Sequence, residues 1–215
     1  LTYRPKQSEI GRKLEKKPTT LTRKEHHMNA PIDLSGVRLE TDDLILRPFE
    51  ETDLEDLYEY ARVPGVGEMA GWAHHKSMEE SKEVLAMFIR EKKTLAVVEK
   101  RSGKVIGSIG IETYSQEHAG EEFQPLLCRD IGYALSKDYW GKGLMPQAVK
   151  RALNFCFDDL GLDAVFCGYF KRNHQSRRVN EKIGFQYICD RVYTTRYGTQ
   201  EDGVFTVMRK ENWQR

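Results

Sequence analysis

The stretch DYWGKGLMPQAVKRAL (138–153) sets two glycines, Gly141 and Gly143, directly ahead of an amphipathic segment. Behind them Val149, Ala152, Leu153, Cys156, Phe157 and Leu160 fall on one helical face, with Gly161 as a stop. Pro146 stands in the first turn of that helix, where its missing N–H does no harm. Upstream, CRDIGYALS (128–136) reads as a strand. The chain must therefore pass from strand to helix through a turn that carries glycine twice. Such glycines serve either as plain punctuation or as a cradle. In the second case the backbone N–H groups of residues 141–145 surround one concavity at a helix N-terminus, which favours an anion. Lys142 adds a cation beside it. The pattern is not a P-loop, because G-x-x-x-x-G-K-[ST] is absent. It is not a dinucleotide fingerprint either, because a third glycine and an early parallel β-α-β unit are missing.

The rest of the chain reads as short alternating elements. LILRPF (44–49) is a strand ended by Pro48. Thr52 and Glu55 have capping-box spacing ahead of a helix with Leu54, Leu57, Tyr58 and Ala61 on one face. Ser77 and Glu80 form a second such box, ahead of a face of Val84, Leu85, Phe88 and Ile89. TLAVVE and KVIGSIGI flank the turn KRSGK as a hairpin, and AVFCGYF is a further strand. A short helix over 176–183 ends at Gly184, and FQYICDRVY and GVFTVMR close the chain as strands. The order β-α-α-β-β-β-α-β-α-β-β predicts one mixed α/β domain without internal repeats.

Of the 215 residues 39% are hydrophobic, enough for a folded core and against wholesale disorder. No apolar run approaches the roughly 20 residues of a membrane span. Cys128, Cys156, Cys167 and Cys189 show neither C-x-x-C nor zinc-type spacing, so we expect reduced, mostly buried thiols in a cytoplasmic protein. Charge is uneven. Residues 1–27 hold eight Lys/Arg against three Asp/Glu, and the remainder holds 26 against 30. The acidic body argues against a nucleic-acid partner. We expect residues 1–27 to be a basic extension, either a leader or vector-encoded segment or a functional arm, and residues 28–215, from Met28, to be the domain.

At the glycine turn the sequence resembles the GNAT superfamily of acyl-CoA-dependent N-acetyltransferases. DYWGKGLM is similar to its pyrophosphate loop, Q/R-x-x-G-x-G/A. LETDDLILRPFEETDLEDLYEY resembles the opening strand and helix of the RimJ/RimL-like branch, and DIGYALSKDYWGKGLMPQAV and NHQSRRVNEKIGF resemble its two central motifs. The likeness runs from about residue 38 to 210 in matching order and spacing. Asp138 departs from the usual Gln or Arg, which removes at most one polar contact from a cradle made of backbone. The resemblance implies a single domain with a mixed, mostly antiparallel sheet, splayed at an acyl-CoA cleft and with helices on both faces. It implies acetyl-CoA as cosubstrate, a primary amine as acceptor, no metal, no membrane, and a monomer or homodimer. Pantetheine would lie between the strand ending at Ser136 and AVFCGYF, pairing as an added strand. The implied cofactor contacts are Leu135, Ser136, Gly141, Lys142, Gly143, Leu144, Met145, Asn173, Ser176, Arg178 and Lys182. A solvated basic face is the other reading of Arg177, Arg178 and Lys182.

Acetyl transfer needs a base for the amine, a donor for the oxyanion and support for the departing thiolate. The oxyanion donor is expected from a backbone N–H near Leu135. Many superfamily members carry a Tyr acid seven residues after the motif Asn173, and here that place holds Asn180. Ser176 is the nearest substitute by sequence, with Asn173 beside it; a helix N-cap is the other reading of Ser176. Glu112 and Asp130 are candidate bases, or else solvated strand-end carboxylates. Tyr133 is expected to wall the acceptor side. The loop carrying Trp72, His74 and His75 is expected over the acceptor, with Trp72 and His75 in contact; adjacent histidines are poor metal ligands. The branch favours a protein N-terminal α-amino group. A polyamine, amino acid or aminoglycoside acceptor, a non-catalytic acyl-CoA-binding module, and a nucleic-acid- or ribosome-binding protein using the basic arm stand as rivals.

Overall fold

The computed structural model describes residues 32–113 and 120–214. The expected basic extension, residues 1–27, lies outside the described residues. Eight strands, β1 (Leu39–Glu40), β2 (Leu44–Pro48), β3 (Thr94–Glu99), β4 (Val105–Thr113), β5 (Cys128–Leu135), β6 (Ala164–Phe170), β7 (Gln186–Thr194) and β8 (Gln200–Arg209), form one sheet. Their order is β1-β2-β3-β4-β5-β6-β8-β7. Every neighbouring pair is antiparallel except β5 and β6. The helices are α1 (Leu54–Ala61), α2 (Met78–Glu91), α3 (Leu144–Asp158) and α4 (His174–Ile183). The predicted order is therefore present, with β1 added at one edge.

Strand β3 shows why helices cover both faces. Its run of five buried residues has no polar side to offer solvent. Leu95 and Val97 pack into a cluster with α3, through Val149, Ala152 and Leu153. Ala96 and Val98 point the other way, onto Leu57 and Ala61 of α1 and Leu85 of α2. Full burial of each such Leu or Val contributes about 1.5–3 kcal/mol, so alternation along one strand holds three layers together. A third cluster, built on Phe123, Phe166 and Phe205, closes the sheet beneath β6 and β8.

Two helix starts were anticipated from capping-box spacing, and they differ. At α2, Ser77 Oγ accepts from the Glu80 N–H at 3.2 Å, while Glu80 reaches back to the Lys76 N–H at 2.8 Å. At α1 the Thr52–Glu55 box does not form. A 3₁₀ turn, Glu51–Asp53, precedes the helix instead. Arg47 on β2 supplies a stronger partner: its guanidinium meets both oxygens of Asp53 at 2.8 Å. Asp53 also accepts from the Glu50 N–H at 2.8 Å and is only 5% exposed. Removing this carboxylate takes the two-pronged partner from the Arg47 guanidinium, which keeps only the Pro48 carbonyl at 2.9 Å and Glu50 at 4.0 Å, and leaves the Glu50 N–H unpaired. Asp53→Ala should lower stability by about 3 kcal/mol, and Thr52→Ala by less than about 0.5 kcal/mol, in urea denaturation at neutral pH.

Candidate active site

Strands β5 and β6 run parallel for only three residue pairs, Cys128 to Asp130 against Ala164 to Phe166. Beyond that point β5 stays on β4 as far as Leu135, and β6 stays on β8 as far as Phe170. The two strands therefore part in the middle of the sheet. The Ser136 N–H donates to the Ile106 carbonyl, which fixes the alternation along β5. Tyr133 and Leu135 then turn their N–H groups away from β4 and into the gap. A cavity of about 270 Å³ occupies the gap, running from Gly141 and Gly143, past Tyr133 and Ser176, to Met69 and Ala70 in the α1–α2 loop.

The glycine turn shapes one end. Gly141 has φ 76° and Gly143 φ 78°, left-handed conformations that side chains resist. A Cβ added at either would meet nothing within 4 Å, so the conformation, not crowding, selects glycine. Gly143 sits at the N-cap of α3 with no side-chain cap. No acceptor within the described residues takes the N–H groups of residues 141–145. Trp140 Nε1 donates to the Leu135 carbonyl at 2.7 Å, locking the turn onto the strand end. Unpaired donors at a helix start, backed by the helix dipole, can hold an anion. This end thus fits the diphosphate of a CoA. Arg178 and Lys182 of α4 line the same cavity, whereas Arg177 is paired with Glu181 at 2.7 Å. Ser136, Lys142 and Asp138 are not among the lining residues. Lys142 Nζ instead lies over the Tyr139 ring at 4.9 Å.

Helix α4 brings polar side chains to the middle of the gap. The Asn173 carbonyl oxygen caps α4 by accepting from the Ser176 N–H at 3.0 Å, and its amide nitrogen donates to the Met69 carbonyl at 3.0 Å. Both ends of that amide are thus engaged. Ser176 Oγ lies 2.8 Å from the Tyr133 hydroxyl. The Asn180 nitrogen donates to Tyr133 at 3.2 Å and to the Ser176 carbonyl at 3.0 Å. Tyr133 does line the cavity, but its hydroxyl faces α4 rather than the α1–α2 loop. Burial, with Cys167 nearby, raises that hydroxyl well above the ordinary tyrosine value. Local pattern could not show these contacts, because 43 residues separate Tyr133 from Ser176 and 104 separate Asn173 from Met69.

The α1–α2 loop closes the other end. Arg172 donates to the Glu68 carbonyl at 3.0 Å, and the Arg196 N–H donates to the Gly71 carbonyl at 2.8 Å. Val66, Met69 and Ala70 line the cavity; Trp72 and His75, the residues expected there, do not. His75 is drawn into the core, 6% exposed, with Nδ1 2.7 Å from Ser81 Oγ. Burial lowers its pKa and favours the neutral ring. Trp72 packs beside it, ring centroids 5.2 Å apart. Among the described residues no group of three or more His, Cys, Asp or Glu is placed to hold a metal ion, and no helix is long and apolar enough to cross a membrane. All four cysteines are free, and Cys128, Cys156 and Cys167 are buried.

The two candidate carboxylates face each other across β4 and β5 but differ in setting. Glu112 is half-exposed and paired with Lys93 at 2.8 Å. Asp130 stands where β5 and β6 part, and its Oδ1 is buried without a hydrogen-bond partner. Burial raises its pKa from 3.8 to about 6, with Arg191 opposing and Glu112 adding to the rise.

The family model for the acetyltransferase (GNAT) domain matches residues 43–186. Among curated proteins, the uncharacterized N-acetyltransferase YoaA of Bacillus subtilis is 29% identical over 153 residues, covering 69% of this chain and 82% of its own. Among solved structures, a GNAT-family acetyltransferase from Bacillus anthracis superposes with a TM-score of 0.70 at 20% identity, over 81% of this chain and 99% of its own. The ribosomal-protein-S5-alanine acetyltransferase of Vibrio fischeri does so with a TM-score of 0.63 at 22% identity, over 83% and 100%.

The setting of Asp130 has a consequence that can be measured on the protein alone. Its folded pKa lies above the ordinary value, so the folded state holds the proton more tightly and the charged form costs stability. That cost is absent below about pH 4, grows through about pH 6 and is complete above it. Asp130→Asn should therefore gain on the wild type as pH rises from 4 to 7, by up to about 3 kcal/mol. Urea midpoints across that range read the difference, and a gap that does not change with pH would contradict the assignment.

Proposed function

The chain belongs to the acetyltransferase (GNAT) domain family, and from that premise we propose that it transfers acetyl from acetyl-CoA to the α-amino group of a protein N-terminus, by direct attack in a ternary complex. The observation that carries this reading is the one cavity that joins the uncapped start of α3, Ser176 and the α1–α2 loop. The N–H groups of residues 141–145 hold the diphosphate, with Arg178 and Lys182 adding positive charge. The strand N–H groups of Tyr133 and Leu135 serve pantetheine and the oxygen that gains charge in the transition state. Asp130, not the ion-paired Glu112, takes the amine proton through water. Ser176 donates to the sulfur. Asn173 orients α4 and the α1–α2 loop rather than touching the thioester. The free cysteines support the expected reducing, cytoplasmic compartment.

The choice of acceptor rests on charge. Among the described residues that line the cavity there is no Asp or Glu. Nearby Glu68 is held by His74 at 2.7 Å, and Glu201 by Arg172 at 2.8 Å. A polyamine would bring several positive charges to a wall of Val66, Met69 and Ala70. A protein N-terminus brings one amine, followed by a neutral backbone.

Free-thiol release from acetyl-CoA, measured across peptide N-termini, polyamines, amino acids and aminoglycosides, tests the reading. Peptides should turn over and spermidine should not. Tight acetyl-CoA binding with no turnover of any amine would instead favour a binding module. Gly143→Val should weaken acetyl-CoA binding at least tenfold in calorimetry, because a β-branched residue resists φ near 78° and drags the amides out of register. Unchanged affinity would put the phosphates elsewhere.

A further inference from the structure

Asn180 occupies the place where many members of this superfamily carry their acid, and its contacts show a different use. It is 2% exposed and sits under Tyr133 and Ser176. A backbone carbonyl can only accept, so the end of the Asn180 amide that meets the Ser176 carbonyl at 3.0 Å is the nitrogen. The oxygen end lies 2.8 Å from the Thr206 hydroxyl, whose one hydrogen it shares with the Cys167 carbonyl at 2.7 Å. The same nitrogen is 3.2 Å from the Tyr133 oxygen and must donate there. Tyr133 thereby accepts from below, and its one hydrogen has two acceptors within reach, Ser176 Oγ at 2.8 Å and the Cys167 sulfur. With Tyr133 donating to it, Ser176 has its own hydrogen left for a further acceptor. Ser176 lines the cavity.

We propose that Asn180, Tyr133 and Ser176 form a one-way chain of hydrogen-bond donors that ends on the sulfur of the departing CoA. Asn180 is then a positioning residue, and Tyr133 polarises the Ser176 hydroxyl, since donors in series strengthen one another. The inference rests on the acetyl-transfer reading and on Ser176 as the sulfur's donor. In the step it serves, the amine nitrogen bonds to the acetyl carbon and the C–S bond breaks with its electron pair on sulfur. The amine proton goes to Asp130 through water, and Ser176 donates without losing its own proton. Burial keeps the Tyr133 hydroxyl protonated, so the chain donates and does not ionise. Cys167 on β6, 3.5 Å from the Asn180 nitrogen, has its thiol pushed up to about 12 and stays neutral. Asp130 on β5, Tyr169 on β6, Tyr193 on β7 and Arg178 and Lys182 on α4 are further titratable groups around this end among the described residues, and they are the same in every variant compared.

The test reads the thiol of bound CoA rather than turnover alone. CoA is titrated in complex with the wild type, Tyr133→Phe and Ser176→Ala, and its thiolate is followed by ultraviolet absorbance. Ser176→Ala should raise the bound thiol pKa by about one to two units, the loss of one hydrogen bond to a charged group. Tyr133→Phe should raise it by about half a unit and lower kcat by about threefold, with the KM for acetyl-CoA within about twofold of wild type. Tyr133→Phe leaves Asn180 its bonds to the Ser176 carbonyl and Thr206, so the variant should fold, which its melting curve checks. If Ser176→Ala raises the thiol pKa and Tyr133→Phe does not, the chain is wrong and Ser176 acts alone. If neither raises it, Ser176 as sulfur donor is also wrong. If Tyr133→Phe has the larger effect, Tyr133 reaches the sulfur itself and the proposed order is overturned.

Discussion

A parallel strand pair that stops after three residues governs the centre of this protein. Parting two central strands exposes backbone donors and acceptors in the middle of a sheet, and each one left buried and unpaired costs about 1–3 kcal/mol. The molecule satisfies some of them from outside the ladder. Trp140 Nε1, for one, donates to the Leu135 carbonyl at 2.7 Å. The remaining strand groups face the cavity, where a ligand with its own amides can complete them as a short added strand. The gap is kept open by Tyr133 and by the buried polar face of α4, Ser176 and Asn180. A wholly apolar α4 would give the strands no reason to stay apart at that level.

The helix starts repeat the pattern of satisfaction withheld at one place. Ser77 caps α2 and Asn173 caps α4, each through a side-chain oxygen. The start of α3 has only Gly143, with no side-chain cap. A Ser or Asp there would stabilise the helix by about 1 kcal/mol but would occupy the donors. Pro146 removes one further N–H that would otherwise need a partner. The one of these three starts that opens onto the glycine end of the cavity is the one left uncapped. Its stability comes instead from the packing of Ala148, Val149, Ala152 and Leu153, all with no measurable exposure.

Local features of the fold were legible in the sequence because they depend on near neighbours. The turn glycines, the left-handed Gly184 that ends α4, the Ser77 cap and the TLAVVE strand all follow from residues within a few positions. What was not legible depends on residues brought in from far away. Thr52 and Glu55 have the spacing of a capping box, yet Arg47 on the preceding strand draws Asp53 into the better contact. His75 reads as a loop residue free for an acceptor, but its loop folds back so that Ser81 takes its ring nitrogen. Glu112 and Asp130 are equivalent as strand carboxylates until Lys93 claims one and burial isolates the other. Trp72 and His75 stand in the α1–α2 loop, but the residues of that loop that line the cavity are Val66, Met69 and Ala70.

Asn173 ties the two halves of the site together. Its oxygen fixes the first turn of α4, which carries Ser176, and its nitrogen fixes Met69 in the loop over the far end of the cavity. Arg172, the residue before it, holds the same loop through the Glu68 carbonyl. A shift of the loop therefore cannot leave α4 untouched, because one amide group serves both. Loss of either bond would leave a buried polar group unpaired, since Asn173 is only 8% exposed. On the proposed reading, the loop on the amine side and the helix on the sulfur side are thus held in one geometry. In a transfer that needs attacking nitrogen and departing sulfur aligned on one carbon, that shared anchor supplies the orientation that would otherwise have to be found on each encounter.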